Sequence, residues 1–175
     1  MKNNKGFTLV ELVVVIALMA IISGVSSYTL SSVTNQELKD FANNYDSMLS
    51  QCQIETMSGM QNPVLELKLH NDGEYKATLY RTIIVAGNPR REVVKSQYLG
   101  EDYLTCYYNV EWNAQTFNLG KYETLSLIFD RATGEITTKV DADEYKITRI
   151  GAIDKRNVSY GIDLVPETGY HKVVN

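Results

Sequence analysis

Phe7 to Val25 runs for nineteen residues, FTLVELVVVIALMAIISGV, with a single charged group, Glu11, inside it. As an α-helix the stretch rises about 28 Å, close to the hydrocarbon thickness of a bilayer, so it is long enough to span one. Lys2 and Lys5 precede it and no acid lies before Glu11. The bias of Lys and Arg toward the cytoplasmic side places residues 1–6 inside and everything after Val25 outside. A carboxylate in such a segment costs about 2.5 to 3.5 kcal/mol at the helix centre and less near an end, so its presence points to a function with a partner. The nearest cations in sequence are Lys5, behind it, and Lys39, far along the chain. Glu11 is therefore directed to a positive group on another molecule, or to a new amine made at position 7.

The string Lys5-Gly6-Phe7-Thr8-Leu9-Val10-Glu11-Leu12 with the Val, Ile and Leu run behind it resembles the N-terminus of type IV prepilins and type II secretion pseudopilins. The resemblance implies that a prepilin peptidase cuts between Gly6 and Phe7 on the cytoplasmic side. It implies N-methylation of the new Phe7 amine and retention of the apolar helix. The Glu11 carboxylate then neutralises the Phe7 amine of a neighbouring subunit during assembly. The implied partners are the peptidase and methyltransferase, other pilin or pseudopilin subunits, the inner-membrane assembly platform, and the bilayer before assembly. No cofactor is implied. The chain divides accordingly into a leader (1–6), a membrane and filament-core half-helix (7–25), an amphipathic half-helix (26–60) and an extracellular β-rich head (61–175).

Electrostatics agree with that role for Glu11. At about 4 Å an ion pair is worth roughly 4 kcal/mol at an effective dielectric of 20, comparable to the cost of holding the acid in lipid. The pair supplies register more than net energy, because only one axial offset between helices brings Glu11 to a neighbour's amine. An acid near a helix N-terminus also gains from the helix dipole, a smaller and competing reading. A conventional secretory signal offers Val25-Ser26-Ser27 as small residues for cleavage. Against it, the apolar run exceeds the usual 7 to 15 residues and contains an acid.

Composition fits one exported domain on a stalk. The chain has 175 residues, a net charge of -4 and twelve tyrosines. The acidic balance gives no electrostatic footprint for indiscriminate nucleic-acid binding, and the small basic clusters Arg90-Arg91, Lys95 and Lys155-Arg156 read as solvated turns. From Leu38 onward, Phe41, Ala42, Tyr45, Met48, Leu49 and Cys52 recur at three- and four-residue steps, with polar residues between them. That predicts an amphipathic helix needing a sheet to cover its stripe. Low helix propensity across Ser23–Ser27 and Ser31–Asn35 allows a kink, with Thr34 and Glu37 as a capping box for a second helix. Gly59 suits a C-cap, and Pro63 prevents continuation.

Residues 64–175 read as antiparallel β structure, eight or nine strands, so the expected fold class is α+β: a long N-terminal helix on antiparallel sheet. Val64–Leu69 alternates and Asn71-Asp72-Gly73-Glu74 marks a hairpin into Tyr75–Val85. Turns follow at Gly87-Asn88-Pro89, before a strand from Glu92 to Leu99, and at Gly100-Glu101-Asp102, before one from Tyr103 to Trp112. A third hairpin joins Leu125–Asp130 to Glu135–Val140, and strands at Tyr145–Ile150 and Val158–Leu164 complete the set. The order of these segments is more weakly similar to the pseudopilin H and FimT type of minor pilin, with Val93–Tyr122 having no counterpart.

Chemistry elsewhere is sparse. His70 and His171 read as surface residues near strand ends, with no HExxH, GxSxG or phosphate-loop pattern beside them. Cys52 and Cys106 form either a disulfide after export or a pair of buried thiols, and the sequence leaves both open. Asp141, Asp143 and Glu144 invite a calcium reading, but their spacing is not that of a calcium-binding loop, and a solvated turn fits better. Ligand contacts at a filament tip would come from loops such as Ala86–Arg91 or Asn113–Tyr122. Two function classes follow. One is a structural filament subunit that is not an enzyme. The other is a membrane-tethered extracellular binding module or enzyme that uses the segment only as an anchor.

Overall fold

The computed structural model describes residues 9–59, 62–111 and 115–174, with the side chains of 24–34 excepted. Among the described residues it is an α+β structure with one helix, α1 (Leu9–Met57), and eleven strands. The chain falls into two compact units, Met1–Gln36 and Glu37–Asn175, and α1 contributes to both.

From Leu9 to Ile22 α1 is apolar on every side but that of Glu11. From Leu9 to Ile22 its large apolar side chains are 44–78% exposed. Such a helix is stable only where something other than water covers every face. Ser23 donates its hydroxyl to the Met19 carbonyl at 2.8 Å, the i−4 bond that satisfies a hydroxyl among apolar neighbours. Among the described residues no helix is long and apolar enough to cross a membrane. Of the expected span, Phe7 and Thr8 lie outside the described residues, as do the side chains of Gly24 and Val25. The expected second helix start at Thr34 does not occur: α1 runs as one helix from Leu9 to Met57. The Thr34 side chain of the expected capping box lies outside the described residues, and Glu37 accepts a hydrogen bond from the Tyr103 hydroxyl.

In the second unit Leu38, Phe41, Ala42, Tyr45, Met48, Leu49 and Cys52 are all fully buried, which is the apolar stripe its spacing predicts. α1 ends where Gly59, at φ +93°, takes the left-handed conformation that side chains resist. The strands are β1 (Val64–Leu69), β2 (Glu74–Val85), β3 (Asn88–Glu101), β4 (Thr105–Val110), β5 (Thr116–Asn118), β6 (Thr124–Phe129), β7 (Ile136–Val140), β8 (Asp143–Tyr145), β9 (Ile147–Ile153), β10 (Ser159–Val165) and β11 (Tyr170–Val174). They form a six-stranded sheet ordered β3-β2-β1-β6-β7-β8 and a five-stranded sheet ordered β11-β10-β9-β4-β5. Their pairings are antiparallel. Alternation puts Leu65, Leu67, Ala77, Leu79, Leu125 and Leu127 of the first sheet and Cys106, Ile150, Ala152 and Ile162 of the second into one buried cluster with the helix stripe. The chain passes between the sheets at β3–β4, β5–β6 and β8–β9, and Ile136 N–H donates to Pro166 O at 2.7 Å to pin them together. On the far face of the second sheet Gly151 sits opposite Gly161, and a Cβ on Gly151 would meet the Tyr107 hydroxyl at 2.8 Å and the Tyr160 carbonyl at 2.5 Å.

Three strands go beyond the sequence expectation. β5 and β8 are three residues each, too short for alternation to register, and β11 follows the tight turn through Gly169. β3 begins at Asn88, not Glu92: Ala86 at φ +51° and Gly87 at φ +82° close a two-residue turn, and Pro89 is tolerated because β3 is an edge strand.

Candidate functional site

The residues singled out for processing, Gly6 and Phe7, lie outside the described residues. Glu11 is described. It sits in the first turn of α1, exposed, with Val10, Leu12, Val13 and Val14 around it at 50–69% exposure. An isolated chain thus presents a wholly apolar helical surface interrupted by one carboxylate. In lipid, or among like helices, that acid is the one side chain of Leu9–Ile22 able to form an ion pair, and so the one able to fix axial position.

The head offers less chemistry. Cys52 and Cys106 are both buried and free, so the structure holds the thiol alternative and not the disulfide. Tyr45 lies among them, its hydroxyl buried and without a hydrogen-bond partner among the described residues. Burial pushes the Cys52 thiol up to about 12 and raises that of Cys106 as well. Such thiols are inert, packing as small hydrophobes.

Asp141, Asp143 and Glu144 do not converge. Asp141, at φ +55°, accepts from Thr124 N–H at 2.9 Å, while Asp143 and Glu144 are consecutive in β8 and so project to opposite faces. Glu144 reaches Lys139 at 3.9 Å. Among the described residues no group of three or more His, Cys, Asp or Glu is placed to hold a metal ion.

His171 corrects a sequence expectation. Its side chain is only 9% exposed, with Nε2 at 3.0 Å from Ser50 Oγ and Nδ1 at 3.1 Å from Gly169 O. The expected surface position fails because β11, absent from the sequence reading, lays this residue against α1. With Nδ1–H donating to the carbonyl and Nε2 accepting from the serine, the ring ties the last strand to the helix.

An open groove of about 690 Å³ lies where α1 ends, lined among others by Thr56, Pro63, Thr82, Ile84 and Phe129. Its one lining carboxylate, Asp130, accepts from the Ala132 and Thr133 amides and the Thr133 hydroxyl, bonds that hold it below the usual carboxylate range. That group serves its own turn. The expected ligand loop Ala86–Arg91 proves to be the tip of the β2–β3 hairpin, and of the loop Asn113–Tyr122 the first two residues lie outside the described residues. The sequence reading missed the length of this hairpin. Its signal was the Ala86-Gly87-Asn88 triplet, where two consecutive left-handed residues make the turn tight enough for pairing to resume at once.

Residues 1–27 match the family described as the prokaryotic N-terminal methylation motif. This is the leader of type IV pilins and pseudopilins, and it implies processing by a prepilin peptidase and assembly with other pilins. Neither the curated proteins nor the solved structures give a match.

Proposed function

We propose that this chain is a structural subunit of a type IV pilus or type II secretion pseudopilus. It is cut between Gly6 and Phe7, methylated on Phe7, held in the inner membrane by its apolar helix with the N-terminus cytoplasmic, and then drawn into an extracytoplasmic filament. It is the substrate of an enzyme and not itself one.

The observation that carries this reading is the methylation motif over residues 1–27, running into a helix whose Leu9–Ile22 surface is apolar on all sides except at Glu11. A membrane before assembly and neighbouring helices after it are two environments that cover such a surface, and a neighbour's N-terminal amine is the group that suits the acid. Mass spectrometry of the mature protein tests the processing step: a chain beginning at N-methylated Phe7 is expected, and one beginning at Met1 or after Ser27 overturns the reading. Glu11→Val tests the assembly step. The variant is expected to accumulate in the membrane at wild-type level while its share in sheared filaments falls about tenfold or more, about 1.4 kcal/mol of net preference left once the cost of burying the acid is set against the pair. Normal incorporation would remove the register role.

A further inference from the structure

β1 pairs with β2 only from Tyr75 to Tyr80, whereas β2 and β3 go on pairing from Arg81–Glu92 to Val85–Asn88. Beyond Tyr80 the sheet therefore narrows to a two-stranded arm, and the pairing shifts register between Leu79 and Tyr80, just where the arm departs. A two-stranded ribbon alone is marginal in water. This one exposes Ile84 at 59% and Val85 at 47%.

Its charge is as distinctive as its shape. Residues 81–92 carry Arg81, Arg90 and Arg91 against Glu92 alone. Arg81 pairs with Glu92 at 2.6 Å and Arg91 with Glu66 at 2.7 Å, while Arg90 has no ion pair among the described residues. The other end of the same two strands, about 35 Å away along β2, is acidic: Asp72 before β2 and Glu74 at its start, Glu101 at the end of β3 and Asp102 after it. Lys76 bridges the first two. One end of the hairpin is thus basic with an apolar tip, and the opposite end is acidic.

We propose that the arm is the head-to-tail contact between copies of this chain, its arginine-bearing tip seated on the acidic turns around Asp72 and Asp102 of a second copy. A contact between two different patches propagates without closing on itself, which suits a filament and not a dimer. The charge complementarity sets the order of the partners, and burial of the Ile84 and Val85 side chains supplies the affinity. The proposal rests on the filament reading and adds to it the head surface through which copies meet.

The test uses the full chain in its own cells. Ile84 is replaced by the photo-crosslinker p-benzoylphenylalanine, and the product is mapped by mass spectrometry. The expected product is a dimer of this chain joined to residues 71–76 or 101–103. Crosslinks to another polypeptide, to another segment, or none above background overturn the proposal. Independently, Arg90→Glu is expected to lower filament recovery about tenfold at unchanged membrane level, and Arg90→Glu with Asp102→Arg to restore at least half of it, because like charges facing each other are penalised and opposite ones are not. Wild-type recovery of the single variant, or no rescue in the double, overturns it. The N-terminus is read in the same samples. An unprocessed N-terminus removes the filament reading itself, whereas a processed, methylated chain with a negative crosslink removes the arm contact alone.

Discussion

Tyr45, Cys52 and Cys106 concentrate the head's titration behaviour in its core. The Cys52 thiol is fully buried, and burial raises it from 9.0 to about 12. Desolvation disfavours only the charged form, so the folded state keeps a proton that the unfolded chain releases above pH 9. A folded-state value raised in this way contributes stability that is whole below pH 9 and is lost as pH climbs toward 12. Between pH 9 and 10.5 the loss for Cys52 is about 2 kcal/mol. Cys106 and Tyr45, also raised by burial, push in the same direction. The melting temperature of the head is expected to drop by several degrees from pH 8 to pH 10.5, and to drop less in Cys52→Ala. Iodoacetamide at pH 8 is expected to add nothing to the native head and two carbamidomethyl groups after denaturation in urea. Equal pH sensitivity in the alanine variant, or a chain that gains no label in urea without a reductant, would contradict this.

At the scale of elements, the second half of α1 is the spine to which both sheets are fastened. Phe41 is fully buried and tilted against Tyr45, ring centroids 6.3 Å apart. Phe41→Ala leaves a cavity where helix and sheets meet and is expected to cost the head 3 to 5 kcal/mol (about), measured by urea denaturation. A cost below about 1 kcal/mol would mean that the stripe does not hold the helix down. This stripe was fully legible in the sequence because its seven apolar residues follow the 3.6-residue period without interruption. The strands β1, β6 and β7 were legible for the same reason at period two, since each has one face in the core and one in water. Legibility failed where the determinant was not periodic. β5 and β8 are three-residue pairings made by position, and the β2–β3 arm owes its length to two backbone angles at Ala86 and Gly87. The placement of His171 against Ser50 depends on β11, folded onto β10 by the short turn 166–169, meeting α1, a contact between residues 121 apart in sequence that no local pattern encodes. At the candidate sites, the setting of Glu11, a lone charge on an exposed apolar helix, was legible because it follows from the run of residues around it. The thiols' state was not, because distance between residues 52 and 106 is a property of the fold.

The whole molecule is two units with opposite relations to solvent. Glu37–Asn175 has its own contiguous core of helix and sheet, whereas the described side chains of Leu9–Ser23 are all exposed. A unit that buries its own apolar surface folds alone, and one that exposes it requires lipid or other helices. A chain beginning at Glu37 is therefore expected to be soluble without detergent and free of aggregates by light scattering. Its single cooperative thermal transition is expected within a few degrees of that of the detergent-solubilised mature protein. The truncation removes no residue of the buried cluster, whose first member is Leu38. It does create a new helix end with unpaired amide groups, and that costs about 1 kcal/mol and a few degrees. A truncated chain that aggregates or melts without cooperativity would show that the first unit takes part in folding the second. The apolar helix would then be more than the membrane and assembly device that its composition indicates.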